Sequence, residues 1–361
     1  MGSLPSPAFW RNKKVLLTGH TGFIGGWLAL WLQEWGAKVY GLALAPSTTP
    51  NLFSLLKLEK SLTHQIGDIR DQNIVNKVFQ KTNPEIVLHL AAQPLVRQAY
   101  ETPIETYATN VMGTAHICEA ARQTGTKSLV VFTTDKVYDN KEQGRGFKES
   151  DSLGGREPYG TSKACAEHVA AAYRASYQIP LATLRAGNVI GGGDWSADRL
   201  IPDAMRAFAA GKALEVRNPA AIRPWQHVLE PVLALLQLAE NLYHEPQKFG
   251  CGFNIGPPPE EAMTVEQIGD ALVKEWGQGA AWRQITGDGI YEAKLLHLDN
   301  ALAGEKLGWR PVLSTMAAIA QTVAWYKAFY SRKDMLALSE QELYQFMEKS
   351  MPATSPKTAH A

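Results

Sequence analysis

The sequence predicts an α/β protein, a doubly wound parallel sheet joined to a smaller mixed α/β lobe, and three observations carry that prediction. Short apolar runs (KVLLTG, AKVYGLAL, EIVLHLAA, SLVVFTTD, LATLRAGN) alternate with longer helical patterns as far as about residue 190. Strands of this kind, spaced by helix-length segments, belong to parallel sheets covered by helices on both faces. A glycine-rich turn separates the first run from the first helical stretch. Past residue 190 the regularity weakens into loops such as VIGGGDW, RNPAAIRPW and IGPPPEEA between short helices such as PVLALLQLAENL and VEQIGDALVKEWG, the pattern of a lobe that shapes a pocket.

The size of the chain, 361 residues of which 45% are hydrophobic, supports a large core and two lobes of one unit. Lysine and arginine number 36 against 35 aspartates and glutamates, a net charge of +1, so no broad basic surface recruits nucleic acid or an anionic membrane. An anionic ligand must meet a local site. Cys118, Cys165 and Cys251 are isolated and odd in number, which excludes a disulfide framework and a CxxC motif and fits a reducing cytoplasm. The start MGSLPSPAFWRNKK lacks the apolar core of a signal peptide, and no apolar run reaches the roughly 18 residues of a membrane span.

The first strand, Val15 to Thr18, runs into Gly19-His20-Thr21-Gly22-Phe23-Ile24-Gly25 and then into an apolar helix. Gly19 permits the tight turn, Gly22 lets backbone approach a pyrophosphate, and Gly25 lets the helix pack closely, while the helix N-terminus supplies amide donors. Thr21, Phe23 and Ile24 are assigned to the same dinucleotide site. The spacing is GxxGxxG rather than GxGxxG, and three glycines also make an ordinary turn; the flanking strand and helix favour the dinucleotide. Trp27, Trp31 and Trp35 recur every four residues along that helix, a stripe expected in the core or an interface. The second strand ends in the uncharged Tyr40-Gly41-Leu42-Ala43-Leu44-Ala45, with no acid for the ribose hydroxyls and no arginine or lysine for a 2′-phosphate. The balance favours NAD. Asp68, beside Ile69 in IGDIR, either accepts from the adenine amino group or caps the helix starting near Asp71.

Tyr159 and Lys163 lie four residues apart at the start of an amphipathic helix, so they share one face. A lysine ammonium and a nearby nicotinamide cation favour tyrosinate, and the expected effect is a lowered phenol pKa suited to a general base. YxxxK alone is common. What raises its weight is the apolar strand Val130-Val131-Phe132-Thr133-Thr134, which ends in Asp135 and Lys136 where doubly wound sheets place their sites. Thr134 either orients the hydroxyl that Tyr159 deprotonates or caps the turn.

In order along the chain, TGHTGFIG, HLAAQ, TNVMGT with Asn110, TTDKVY and YGTSK resemble the extended short-chain dehydrogenases/reductases, the NAD-dependent epimerase/dehydratase family, over nearly the whole length. The resemblance implies a Rossmann sheet, a tightly held NAD, and cofactor contacts at Ile69, Leu90, Ala91, Ala92, Asn110 and Thr133 besides Tyr159 and Lys163. The alternation of runs, and ends rich in proline, serine and alanine without periodicity, divide the chain into an expected mobile start (1–12), an NAD-binding domain (13–190, open to later segments crossing back), a nucleotide-sugar lobe (191–345) and a mobile tail (346–361). Nucleotide-sugar 4,6-dehydratases of the family carry an acid and a base directly after the hydroxyl residue, where Asp135 and Lys136 stand, and epimerases generally lack them. Dehydratases of dTDP-glucose and GDP-mannose have glutamate in place of Lys136, whereas an Asp-Lys pair resembles the branch acting on CDP-sugars; LGGREPYGTSKACAEH, RAGNVIGGGDW, RLIPD, RPWQHVLEP, FNIGP and LGWRP agree with that branch.

The chemistry so implied is oxidation of the sugar at C4, loss of water across C5 and C6, and return of hydride to C6. Tyr159 takes the C4 hydroxyl proton, Lys163 holds the nicotinamide ribose, Lys136 removes the C5 proton and Asp135 protonates the departing hydroxyl, with the last two labels open to reversal. Arg199, Arg217 and Arg223 are the expected diphosphate ligands, Arg223 foremost, for which a surface salt bridge is the plainer alternative. Gln93, Asn188, Leu200 and His227 complete the substrate set; an asparagine at 188 also suits a turn, and His227 equally suits packing beside Trp225. The histidines show no metal-ligand spacing, so no metal is expected. The resemblance also implies a homodimer or homotetramer built on helices near residues 100–123 and 158–176. Two other readings are a 4-epimerase or decarboxylase, which Asp135-Lys136 disfavours, and a non-catalytic dinucleotide-sensing scaffold, which the retained Thr-Tyr-Lys set disfavours.

Overall fold

The computed structural model describes residues 2–351 except 142, 143, 288, 290–292 and 294. Its centre is a seven-stranded, wholly parallel sheet. In chain order the strands are β1 (Lys14–Thr18), β2 (Lys38–Ala43), β3 (Thr63–Ile66), β4 (Ile86–His89), β5 (Ser128–Thr134) and β6 (Leu181–Ala186), with a last strand at Gly252–Ile255. Their spatial order is Gly252–Ile255, β6, β5, β4, β1, β2, β3. The strand order reverses beside β1, and β4, β5 and β6 are buried along nearly their whole length, as a two-sided core requires.

Helix Phe23–Glu34 carries the tryptophan stripe into this core. Trp27 and Trp31 are fully buried and Trp35 nearly so, and Trp27 donates its indole N–H to Gly192 O at 2.9 Å, tying the helix to the second lobe. Residues after 190 do cross back. Gly252–Ile255 pairs with β6, Phe253 opposite Leu184. Helix Leu229–His244, read from sequence as part of the pocket lobe, covers the sheet instead: Ser128 at the start of β5 donates its hydroxyl to Ala239 O at 2.9 Å. It is apolar on nearly every face because it lies between two layers. The second lobe is built on short pairings, Asn188–Ile190 with Trp225–His227 in parallel and Ile222–Arg223 with Met263–Thr264 antiparallel, around helices Leu200–Ala209, Val265–Trp276 and Thr315–Tyr330.

Both expected mobile ends need correction within the described residues. At the start, Ser3 N donates to Asn241 Oδ1 (3.0 Å) and Ser6 N to Glu240 Oε2 (2.9 Å), and a short helix Pro7–Trp10 buries Trp10 completely. A buried indole and paired amides tie the segment down. At the other end, helix Met335–Ser350, N-capped by Asp334, buries Leu343 and Phe346 and takes in residues 346–350. Residues 352–361 of the expected tail lie outside the described ones.

Candidate active site

A cleft of ≈ 700 Å³ runs along the C-terminal edge of the sheet and into the second lobe. At its cofactor end the glycine turn is built by backbone proximity. Gly19 has φ +80°, and a Cβ at Gly25 would stand 2.1 Å from Gly19 O, so the helix can approach the turn only without a side chain there. At Gly22 an added Cβ meets only Gly19 O, at 3.3 Å. Helix Phe23–Glu34 has no side-chain cap, leaving its first amides to whatever fills the cleft. Thr21 donates its hydroxyl to Leu44 O at 2.9 Å, closing the turn over the end of β2. The cleft wall there, Ala43 to Ser47, carries no charge.

Phe23, Ile24, Ile69, Leu90, Ala91 and Ala92 also line the cleft. Thr18 Oγ1 holds the amides of Leu90 and Ala91, each at 3.1 Å. Asp68 lies on the wall but is not the helix cap; Asp71 accepts from Asn73 N and Ile74 N in that role. Asp68 accepts from Arg70 N and Arg70 Nε, both at 2.8 Å, and although burial opposes it, the Arg70 bonds hold this carboxyl below its ordinary range. Arg70, unnoticed in the sequence, is held in turn by Glu105 at 3.1 Å.

β5 ends at Thr134 and the chain turns through Asp135–Val137. Thr134 donates its hydroxyl to Asp135 Oδ1 at 2.8 Å and accepts from Lys136 N at 3.3 Å. Helix Pro158–Tyr177 is started by Glu157, which accepts from Tyr159 N (2.7 Å) and Gly160 N (2.6 Å). A Cβ at Gly160 would stand 2.8 Å from Lys136 O, so the glycine lets the helix meet the turn and brings Tyr159 against Thr134. Tyr159, Lys163, Thr133, Thr134 and Lys136 all line the cleft.

Two expectations about this cluster are corrected. Burial pushes the Tyr159 phenol up to about 12, with Arg199 and the Thr134 hydroxyl only partly opposing, so the lowering expected from Lys163 is not what dominates. The lysine reaches the strand instead: Nζ donates to Phe132 O at 2.8 Å, and burial lowers its ammonium to about 8 against the pull of Glu167. Asp135 is not on the cleft wall. It is 1% exposed beneath Thr134, its Oδ1 is 3.6 Å from Lys136 Nζ, and its Oδ2 has no hydrogen-bond partner among the described residues.

Thr133 lines the cleft, but its hydroxyl points behind it, donating to Glu167 Oε1 at 2.6 Å. Glu167 forms a buried pair with Arg185 at 2.8 Å, and Arg185 reaches the Tyr138 hydroxyl at 2.9 Å, so the end of β5 rests on a network the sequence did not announce. Asn110, expected at the cofactor, is buried off the cleft wall. Its amide accepts from Gln93 N (2.8 Å) and donates to Gln93 O (3.0 Å) and Ser162 Oγ (2.8 Å), because a buried amide must satisfy all its groups. Gln93 is on the wall, its amide donating to Thr106 Oγ1 (2.9 Å) and Leu95 O and accepting from Leu95 N.

Among the expected substrate residues, Asn188, Arg199, Leu200, Arg217 and Arg223 line the cleft. Asn188 Oδ1 is buried without a hydrogen-bond partner among the described residues. Arg199 pairs with Asp194 at 3.0 Å, Arg217 with Asp198 at 3.6 Å, and the buried Arg223 donates to Ile222 O at 2.9 Å. His227 is the exception: fully buried and off the cleft, its Nε2 lies 3.0 Å from Glu342 Oε1 of the last helix, which draws it into packing. Arg97, in helix Val96–Glu101, and Arg156, in the bend before helix Pro158–Tyr177, line the cleft as well and were missed, since a lone arginine has no spacing to mark it. No group of three or more His, Cys, Asp or Glu suited to a metal occurs among the described residues.

Comparison with known proteins gives a consistent picture. Residues 15–256 match the family described as NAD dependent epimerase/dehydratase. The chain is 47% identical over 349 residues to CDP-glucose 4,6-dehydratase of Salmonella typhimurium, covering 94% of this chain and 97% of that protein. UDP-glucose 4-epimerase of Brucella ovis, solved in complex with NAD, superposes with a TM-score of 0.74 at 26% identity, covering 86% of this chain and 97% of that one. The dTDP-glucose 4,6-dehydratase of Streptomyces venezuelae, solved with NAD bound, gives a TM-score of 0.75 at 23% identity over 89% and 99% of the two chains and shares the fold.

Proposed function

From the premise that the chain belongs to the NAD dependent epimerase/dehydratase family, we propose that it dehydrates CDP-glucose to CDP-4-keto-6-deoxyglucose. The observation that carries this reading is the placement of Lys136 on the cleft wall with Thr134 and Tyr159, 3.6 Å from the buried carboxyl of Asp135. An oxidation site and an elimination site thereby share three consecutive residues.

The glycine turn fits the diphosphate of NAD: an uncapped helix start and a Gly22 whose missing side chain leaves the amides open suit an anion. The uncharged end of β2 suits an unphosphorylated ribose. When bound, NAD supplies a hydride acceptor at C4 that is also the donor at C6, so net redox change is zero. Thr134 orients the C4 hydroxyl and Tyr159 accepts its proton as the C4–H bond yields hydride. Lys163 holds the nicotinamide ribose. With C4 a ketone, the C5 proton is acidic, and Lys136 removes it. Asp135, buried off the cleft wall, acts through Lys136, whose Nζ is 3.6 Å from its Oδ1, and the proton taken by Lys136 passes to the C6 hydroxyl, which leaves as water. Arg199, Arg217 and Arg223 take the substrate diphosphate, and Asn188 the sugar side of the cleft.

The reading extends to assembly and location. Helices near 96–124 and 158–177 leave Ile104 80%, Met112 52% and Tyr177 56% exposed, large apolar side chains that support a homodimer, or a homotetramer, built on these helices. The three free cysteines fit a reducing cytoplasm, and no helix among the described residues is long and apolar enough to cross a membrane.

Incubating the purified protein with CDP-, dTDP-, GDP- and UDP-glucose and resolving the products tests the assignment. A 4-keto-6-deoxy product from the CDP-sugar in preference to the others is expected. A product inverted at C4 with C6 still hydroxylated would overturn the dehydration.

A further inference from the structure

On the cleft wall Arg70, Arg97, Arg199 and Arg217 are answered by carboxylates, and one of these acids spans the cleft. Asp198 Oδ1 lies 3.7 Å from Arg97 Nε and 3.6 Å from Arg217 Nη2. Arg97 belongs to helix Val96–Glu101, which follows β4 in the dinucleotide half, whereas Arg217 follows the strand Leu214–Val216 of the second lobe. A single carboxylate oxygen therefore joins two guanidinium groups from opposite halves of the molecule, and all three residues line the cleft.

The pairing has the features of a placeholder. Both contacts are longer than a hydrogen bond, so charge attraction rather than a directed bond holds the carboxylate. The arginine side chains are 18% and 29% exposed while that of Asp198 is 47% exposed, which makes the acid the member free to leave. Asp198 sits at φ +57°, a left-handed conformation that aspartate tolerates and that most side chains avoid. A phosphoryl oxygen is a stronger partner for two guanidinium groups than a carboxylate held at this distance, because each fork can bond two oxygens of a diphosphate at once. Nearby acids are otherwise engaged: Asp194 with Arg199, and Asp203 with Arg206.

We propose that Asp198 mimics the substrate diphosphate, and that Arg97 is a further diphosphate-binding residue, contributed by the cofactor half. Resting on the nucleotide-sugar reading of the cleft, the proposal makes substrate entry an exchange. The diphosphate takes Arg97 and Arg217, Asp198 swings out to solvent, and the two halves are bridged by substrate instead of by protein. Since only an anion is exchanged, the device acts on binding and leaves the chemistry at Tyr159 and Lys136 alone.

The test uses the NAD-loaded protein and calorimetric titration with CDP, and with UDP, dTDP and GDP in parallel. Arg97→Gln is expected to weaken binding of the preferred diphosphate tenfold or more, Arg97→Lys to recover part of it, and Asp198→Asn to tighten it several-fold. Asp198→Gly, suited to the positive φ, provides the same loss of charge should the asparagine variant fold poorly. Glu215→Gln removes a charge from the same cleft without freeing either arginine, since Glu215 pairs with Arg283, and is expected to tighten binding less. In turnover the Arg97 effect should appear in KM with kcat held. Unchanged affinity in Arg97→Gln, or no gain in both Asp198 variants beyond that of Glu215→Gln, overturns the exchange while leaving the dehydratase reading intact. If the unmodified protein binds none of the four diphosphates, both readings fall. Preference for a base other than cytosine revises the substrate and leaves the exchange standing.

Discussion

Lys136 and Lys163 stand on the wall of one cleft and experience different surroundings. Lys163 is buried against the β5 backbone, with its ammonium lowered to about 8, whereas Lys136 is 30% exposed and faces the carboxyl of Asp135. Fixed by its bond to Phe132 O, Lys163 suits holding, and the more exposed Lys136 suits reaching a substrate proton. Replacing Lys136 by alanine should let oxidation proceed and block elimination: reduced cofactor accumulates on the enzyme, visible in its near-ultraviolet absorbance, while release of the 4-keto-6-deoxy product slows by roughly 10²–10⁴-fold, the usual contribution of a positioned acid or base. Undiminished product release would remove Lys136 from the mechanism. The positions of Thr134, Lys136, Tyr159 and Lys163 were legible because a strand end and a YxxxK helix are local patterns. The depth of Asp135, the inward turn of Asn110 and the pairing of Arg97 with Asp198 were not, since each depends on a partner brought close only by the fold.

At the scale of elements, helix Leu229–His244 shows how one buried acid couples distant segments. Glu230 Oε1 accepts from Val312 N at 2.9 Å and Leu313 N at 2.7 Å, and burial pushes its carboxyl up to about 8, the two amides opposing. Its pKa is raised from an ordinary 4.5, so its stabilising contribution is complete below pH 4.5 and is lost as pH rises through about 8. Thermal unfolding followed from pH 5 to 9 should show Tm falling with pH, and Glu230→Gln, which keeps an acceptor but cannot ionise, should flatten that fall. An equal slope in both proteins would place the pH dependence elsewhere. The same helix marks the limit of sequence reading for elements. PVLALLQLAENL gives its helical period plainly, but its apolar residues on every side, which signal burial between layers, are easily taken for a short pocket helix.

For the whole molecule, the doubly wound sheet was legible from the alternation of runs, whereas the pairing of Gly252–Ile255 at its edge was not, since that segment lies beyond the alternating half. The anchored N-terminus was not either, because the prolines and serines around Trp10 conceal its burial, and the side chains that hold the segment's backbone, Glu240 and Asn241, lie far along the chain. The exposed Ile104, Met112 and Tyr177 of the helices proposed to pair give the molecule its test of assembly. The unmodified protein should sediment as a dimer or tetramer, and the double variant Ile104→Glu, Met112→Glu as a smaller species with an unchanged fold by circular dichroism. Sedimentation of the unmodified protein as a monomer would overturn the assembly.

The strand Gly252–Ile255 that completes the sheet has a further consequence, for biosynthesis. While the chain is being translated, β6 has its N–H and C=O groups unpaired along one edge until residue 255 has cleared the ribosome, and the helix that covers β5 emerges only shortly before. The nucleotide-binding half thus cannot mature ahead of the rest as an autonomous N-terminal unit. A nascent chain halted before residue 252 would present a bare apolar edge, and the order of synthesis makes the last sheet strand the step that commits both halves to one structure.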